Sequence, residues 1–139
     1  MTGPLVVEGV GGLDALVGKT LGTSRWRAIG QDDLDRFAEA VGMPPGDPVA
    51  PGDFLLSLAP SLVPDILAVR GTSMGVNYGL DAAVFPAPVA AGDTVRLSLR
   101  MLRVTEVPGG VQSVLGLEIE VEGRADPGCR AEVIYRYYT

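Results

Sequence analysis

The stretch PGDFLLSLAPSLVPDILAV, residues 51–69, decides how this chain folds. It holds only two charges, Asp53 and Asp65, and is apolar nearly all round. A helix of that kind has no face to offer water and belongs in the middle of a domain. Pro51 suits the first helical position, where its missing N–H removes no bond. Asp53 falls in the first turn, where the helix macrodipole favours an anion. Pro60 and Pro64 each withhold an internal hydrogen bond, so the helix is expected to kink or break at them.

The segments on either side supply what could wrap such a helix. Upstream, GQDDLDRFAEAVG (30–42) reads as a short helix. Asp32 and Asp33 sit in its first turn, Leu34, Phe37, Ala38 and Val41 form one apolar face, and Gly42 is a stop signal. Before it, VGKTLGTSRWRAI (17–29) reads as a first strand, and residues 1–15 as an irregular lead-in to a domain over 16–139. Downstream, the pattern changes to period two. TSMGVNYGLDAAVF (72–85), TVRLSLRML (94–102), VLGLEIEVEG (114–123) and CRAEVIYRYYT (129–139) read as strands, separated by the turns PAPVAAGD, EVPGG and ADPG. Val95, Leu97, Leu99 and Met101 share one face; so do Leu115, Leu117, Ile119 and Val121, and Ala131, Val133, Tyr135 and Tyr137. One antiparallel sheet around one long apolar central helix satisfies this order, an α+β single domain.

The opposite strand faces carry Arg96 and Arg100, and Glu118, Glu120 and Glu122. Set across a hairpin these rows would pair and help fix register. They read first as a solvated face, each exposed pair adding at most about 1 kcal/mol. Trp26, between Arg25 and Arg27, reads as a surface-strand residue, with a cation–π contact as the alternative. Cys129 reads as a small core residue.

Composition closes off several functions. Of 139 residues, 47% are apolar, and 11 basic residues face 17 acidic ones for a net charge of −6. That balance, with no basic cluster, argues against nucleic acid. A single cysteine excludes an internal disulfide and a thiolate zinc site. Histidine is absent, which removes Ser–His, Cys–His and His–metal mechanisms together. Proton transfer near neutral pH is left to a carboxylate, a tyrosine, the single lysine Lys19, Cys129 or water. No metal or cofactor is implied. The start, without a basic n-region, and the lack of a long uncharged apolar run read as a soluble, cytoplasmic protein with no membrane segment.

VNYGLDAAVFPAPVAAGDTVR (76–96), with its Asn-Tyr-Gly run, Phe-Pro-Ala-Pro-Val turn and Gly-Asp-x-Val-Arg, resembles the MaoC-like hydratases. QDDLDRFAEAVG resembles that family's first helix, FLLSLAPSL its central helix, and EVEG with AEVIYRY its last two strands. The likeness runs from about Leu16 to the end. It implies a hotdog fold, a pocket for a hydrophobic acyl-thioester substrate, and pairing of protomers into a homodimer or hetero-oligomer by sheet extension. In the family, an Asp and a His activate water, and a backbone N–H at the start of the central helix polarises the thioester carbonyl.

VGMPPGDPVAPGD (41–53) departs from that pattern. Val41-Gly42 fits the family's Thr-Gly, but Met43 stands where the Asp belongs. The segment carrying the His is missing. Ala50-Pro51-Gly52 fits Ala-His-Gly, with Pro51 in place of the His. What the resemblance leaves is the Gly52 N–H, which can still stabilise a developing oxyanion. Asp53 is the first candidate for a replacement acid or base, against the reading that it only offsets the dipole. Tyr78 is a candidate donor to a substrate carbonyl, and Asn77 lies beside it. Asp47 is a substrate-side candidate that turn chemistry also explains. Met43, Phe54, Met74 and Phe85 are candidate pocket walls, each also readable as core.

The resulting expectation is a repurposed enzyme on an acyl or polyketide-like substrate. It would run a cyclisation (pericyclic included), an isomerisation or an elimination by shape and carbonyl hydrogen bonding. The alternatives are a non-catalytic acyl-thioester binder, an inactive subunit of a hetero-oligomeric hydratase, and a hydratase with atypical residues.

Overall fold

The computed structural model describes residues 3–139. In chain order, strand β1 (Leu5–Glu8) is followed by two short 3-10 turns, β2 (Thr20–Thr23), β3 (Arg27–Ala28) and helix α1 (Gln31–Val41). Helix α2 (Gly52–Leu62), a 3-10 turn (Val63–Asp65) and β4 (Leu67–Arg70) come next. β5 (Met74–Val84), β6 (Thr94–Val107), β7 (Gly110–Val121) and β8 (Cys129–Tyr138) close the chain.

The main sheet is antiparallel in the order β2-β6-β7-β8-β5, with β3 also on β6. It wraps around α2, the hotdog arrangement. Alternation on the central strands is that expected: Val95, Leu97, Leu99, Met101, Leu115, Leu117 and Ile119 are all essentially sealed from solvent. From the helix, Phe54, Leu55, Leu58, Ala59 and Leu62 are buried against them. Apolar area removed from water on both surfaces is what holds helix and sheet together.

α1 takes the predicted span, ending where Gly42 adopts the left-handed conformation at φ 81°. α2 is shorter than the sequence indicated. It continues through Pro60 rather than breaking there, and stops at Leu62. Pro64 then sits in the 3-10 turn, and residues 67–69, expected to be helical, belong to the strand Leu67–Arg70. The reason lies in the lead-in, which is not irregular throughout. β1 pairs in parallel with β4, Leu5 opposite Leu67 and Val7 opposite Val69, and Val7 is buried. Parallel partners so distant in sequence leave no local pattern.

The arginine and glutamate rows meet in one place as foreseen. Arg96 lies opposite Glu120 and pairs with it at 3.0 Å, whereas Arg100 lies opposite Gly116. Trp26 does take a cation–π partner, but it is Arg96 from β6, at 4.4 Å, rather than a chain neighbour. No helix among the described residues is long and apolar enough to cross a membrane.

Candidate active site

The amino end of α2 is where the shortened loop arrives. Two devices hold that loop. The Asp35 carboxylate on α1 accepts the Gly46 N–H at 2.8 Å and the Gln31 side-chain amide at 3.0 Å, and the same amide reaches the Asp47 carbonyl at 3.0 Å. On the other side, the Ala50 N–H donates to the Val89 carbonyl at 2.7 Å, and the Ala91 N–H to the Pro48 carbonyl at 2.8 Å. Asp47 itself accepts the Val49 N–H at 2.9 Å, a turn bond, and is not aimed at the helix end.

Pro51 caps α2 in an extended conformation rather than occupying the first helical position, so the helix opens on Gly52. The N–H groups of Gly52 and Asp53 have no partner among the described residues, as helix geometry requires of a first turn without a side-chain cap. Phe85, just beyond β5, lays its ring on this spot. A Cβ placed on Gly52 would stand 2.6 Å from two ring carbons. Glycine is therefore what lets the ring approach the helix end. Asp53 is exposed beside it, with no hydrogen bond or ion pair among the described residues. Gly52, Asp53 and Phe85 thus form one cluster: free N–H dipoles, a carboxylate and an aromatic wall.

The other residues singled out from sequence go elsewhere. Phe54 is buried and meets Phe37 of α1 edge-on, at 5.5 Å between rings, so it anchors α1 to α2. Met43 lies in an open hollow on the outside of α1 with Asp32, Asp35, Arg36 and Glu39. Met74 begins β5 opposite Tyr138, at the far end of the strand from Phe85. Tyr78 does not point at the α2 side. β5 carries two bulges against β8, one between Asn77 and Gly79 and one between Leu80 and Ala82. Each bulge inserts a residue and shifts the alternation. Asn77, Leu80 and Ala83 consequently face the helix, opposite Tyr135, Val133 and Ala131, while the Tyr78 ring stacks 3.6 Å from Arg136 on the other side. Asn77 does reach a cavity beside α2, lined also by Leu56, Ala59, Pro60 and Tyr135.

Three groups drop out as acids or nucleophiles. Burial raises the Cys129 thiol to about 11, so it stays protonated in the core. Burial, with the Tyr135 hydroxyl nearby, raises Tyr137 to about 12, and burial raises Tyr135 as well. A raised folded-state pKa means the unfolded chain loses these protons first. Folding stability is expected to hold below pH 10 and fall between about 10 and 12. Denaturant titrations of the wild type and Tyr137→Phe across that window check this, with a shallower fall in the variant. No group of three or more His, Cys, Asp or Glu side chains among the described residues is placed to hold a metal ion.

A central helix wrapped by an antiparallel sheet is the hotdog class of fold. No family model matches the chain. It is 36% identical over 145 residues to 3-hydroxyacyl-thioester dehydratase Z of Mycobacterium tuberculosis, covering 94% of this chain and 96% of that one. The monoamine oxidase regulatory protein from Archaeoglobus superposes with a TM-score of 0.77 at 16% identity, 99% of each chain covered. The MaoC-like dehydratase from Rhodospirillum rubrum superposes at 0.67 and 15% identity, over 91% of this chain and 95% of that one. The chain belongs to the MaoC-like hydratase/dehydratase family.

Proposed function

We propose that this protein binds a hydrophobic acyl thioester with its carbonyl at the start of α2. It would transform that substrate by shape and carbonyl hydrogen bonding rather than by Asp/His-driven hydration. The observation that carries the reading is the pair of free N–H groups at Gly52 and Asp53 beneath the Phe85 ring, in a chain without histidine. Preorganised donors at a helix start stabilise an oxyanion without reorganising. Met43 and Pro51 supply no proton where the resemblance implies an Asp and a His. Asp53 is the carboxylate within reach of the cluster. The reactions that fit are a cyclisation, a pericyclic step, an isomerisation or an elimination, in which holding the chain in a reactive shape does most of the work. An acyl thioester is also what the name of the mycobacterial relative specifies for that enzyme.

The test is a pair of assays on the purified protein. Decanoyl-N-acetylcysteamine is expected to bind, and crotonyl-CoA to remain unhydrated. Hydration of crotonyl-CoA at ordinary enzyme rates would overturn the reading in favour of an atypical hydratase.

One observation supports a second reading, an inactive or binding subunit. β5 is an edge strand bonded only to β8, and Met74, Tyr78, Leu80 and Val84 on it are exposed. An exposed apolar edge of that length invites a further strand. A second copy there gives the expected homodimer; a related chain carrying the missing Asp and His gives a hetero-oligomer. Sedimentation of the protein alone as a dimer favours the first assembly. Thioester hydration appearing only with an added catalytically complete family member favours the second.

A further inference from the structure

The mechanism above uses one end of α2. At the other end, two adjoining cavities, of about 260 and about 280 Å³, lie between α2 and the inward side of β5 and β8. They share Pro60, Asn77 and Tyr135, and Tyr137 lines the second. Apart from Tyr78, whose ring stacks on Arg136, the rest of the wall is apolar, from Leu56 and Ala59 through Val63 to Leu80.

The polar groups in this slot are without an internal purpose. Tyr135 is 8% exposed, yet its hydroxyl makes no hydrogen bond among the described residues, and neither does that of Tyr137. The only fully sealed side-chain polar atom without a partner among the described residues is Arg27 Nη1, so the tyrosine oxygens look into open space. The exposed Asn77 amide opposite Tyr135 also makes no hydrogen bond among the described residues. Pro60 has no N–H to give the Leu56 carbonyl, which frees a backbone acceptor at the same wall. Open to solvent, these oxygens exchange bound water for a ligand oxygen, and the donors are already in place. Their raised pKa values keep both tyrosines neutral, hence donors, throughout the physiological range.

The slot also lies in line with Gly52. Positions 52, 56, 59, 60 and 63 fall on one stripe of a helix, and Leu56, Ala59, Pro60 and Val63 are slot walls. From Gly52 to Pro60 the helix rises about 12 Å, roughly the reach of nine carbons of an extended chain. Leu80 of β5 lines the slot on the opposite side, and Ala83 follows it on the same face by register.

We propose that Asn77, Tyr135 and Tyr137 form a subsite for an oxygen function near the far end of the acyl chain, making the substrate class a medium-chain, distally oxygenated acyl thioester. This rests on the carbonyl sitting at Gly52, as proposed above. The apolar stripe takes the methylenes, and the two hydroxyls and the amide take the distant keto or hydroxyl oxygen. Simple fatty acyl thioesters leave those donors unpaired and are disfavoured, so the subsite selects as well as binds.

Two probes test this on the intact protein: decanoyl-N-acetylcysteamine and its 9-oxodecanoyl counterpart, with affinities from calorimetric titration. The oxo probe is expected to bind about tenfold tighter, the effect of one to two neutral hydrogen bonds. Tyr135→Phe with Tyr137→Phe should abolish that ratio. The exchanges delete oxygens that make no hydrogen bond among the described residues, so folding is expected to be retained, and thermal unfolding of the variant checks it. Asn77→Ala at the strand edge is a second variant and should lower the ratio alone. Equal binding of the two probes to the wild type, or an unchanged ratio in both variants, overturns the subsite and leaves the carbonyl site standing. Failure of both probes to bind overturns the carbonyl site, and the subsite with it.

Discussion

Replacing Leu62 with Ala is expected to remove about 3 kcal/mol of folding stability, the scale of large-to-small changes in a closed core. Leu62 is fully buried at the carboxyl end of α2, beside Leu58 and Ala59. Its neighbours are themselves locked between helix and sheet, so the vacated space cannot collapse cheaply. The contrast lies one and a half turns back, on the other face. Leu56 is only half-buried and borders the cavity beside Asn77. Leu56→Ala should cost well under half as much, because its atoms already face open space. Chemical denaturation of both variants measures the difference. Equal losses would mean that α2 is packed alike on both faces and that the cavity closes in solution.

The second large effect belongs to Gly52. Gly52→Ala should gain up to about 1 kcal/mol of helix propensity, and lose a similar or larger amount by pushing the Phe85 ring away. Net stability therefore changes little. Binding should not be spared: the new methyl and the displaced ring occupy the space over the free N–H. Decanoyl-N-acetylcysteamine is expected to bind at least tenfold more weakly, the cost of roughly one carbonyl hydrogen bond. Phe85→Ala in the Gly52→Ala background relieves the clash, and the four-variant cycle should show coupling between the two positions. Unchanged affinity in Gly52→Ala would remove the helix start from the site.

Much of the fold was readable because its signals are local. The 3.6-residue stripe of α1, the all-apolar α2 and the strict alternation of β6, β7 and β8 each record a face that must be buried. The site was readable only in part. Gly52, Asp53 and Phe85 come together because the loop and the turn after β5 lead there. A bulge, which alternation does not reveal, sets the Tyr78 ring against Arg136 while the residue still borders the cavity beside α2. Alternation puts Tyr135 and Tyr137 on the inward face, where they line the slot. Nothing in a period-two pattern says that a buried hydroxyl lacks a partner.

The sequence alone determined what chemistry is closed to this protein. Without histidine, and with Met43 and Pro51 in the shortened loop, no arrangement in space restores an imidazole to the helix start. It also determined the wrapped helix, since an eleven-residue segment as apolar as α2 has nowhere else to go. The tertiary structure decided everything that depends on distant segments meeting. It made residues 67–70 a strand by pairing them with β1, set Phe85 on Gly52, and used two bulges to choose which side chains of β5 look inward. Local preference fixes which face of an element is apolar. Only the register between elements fixes which polar groups are left facing a cavity together.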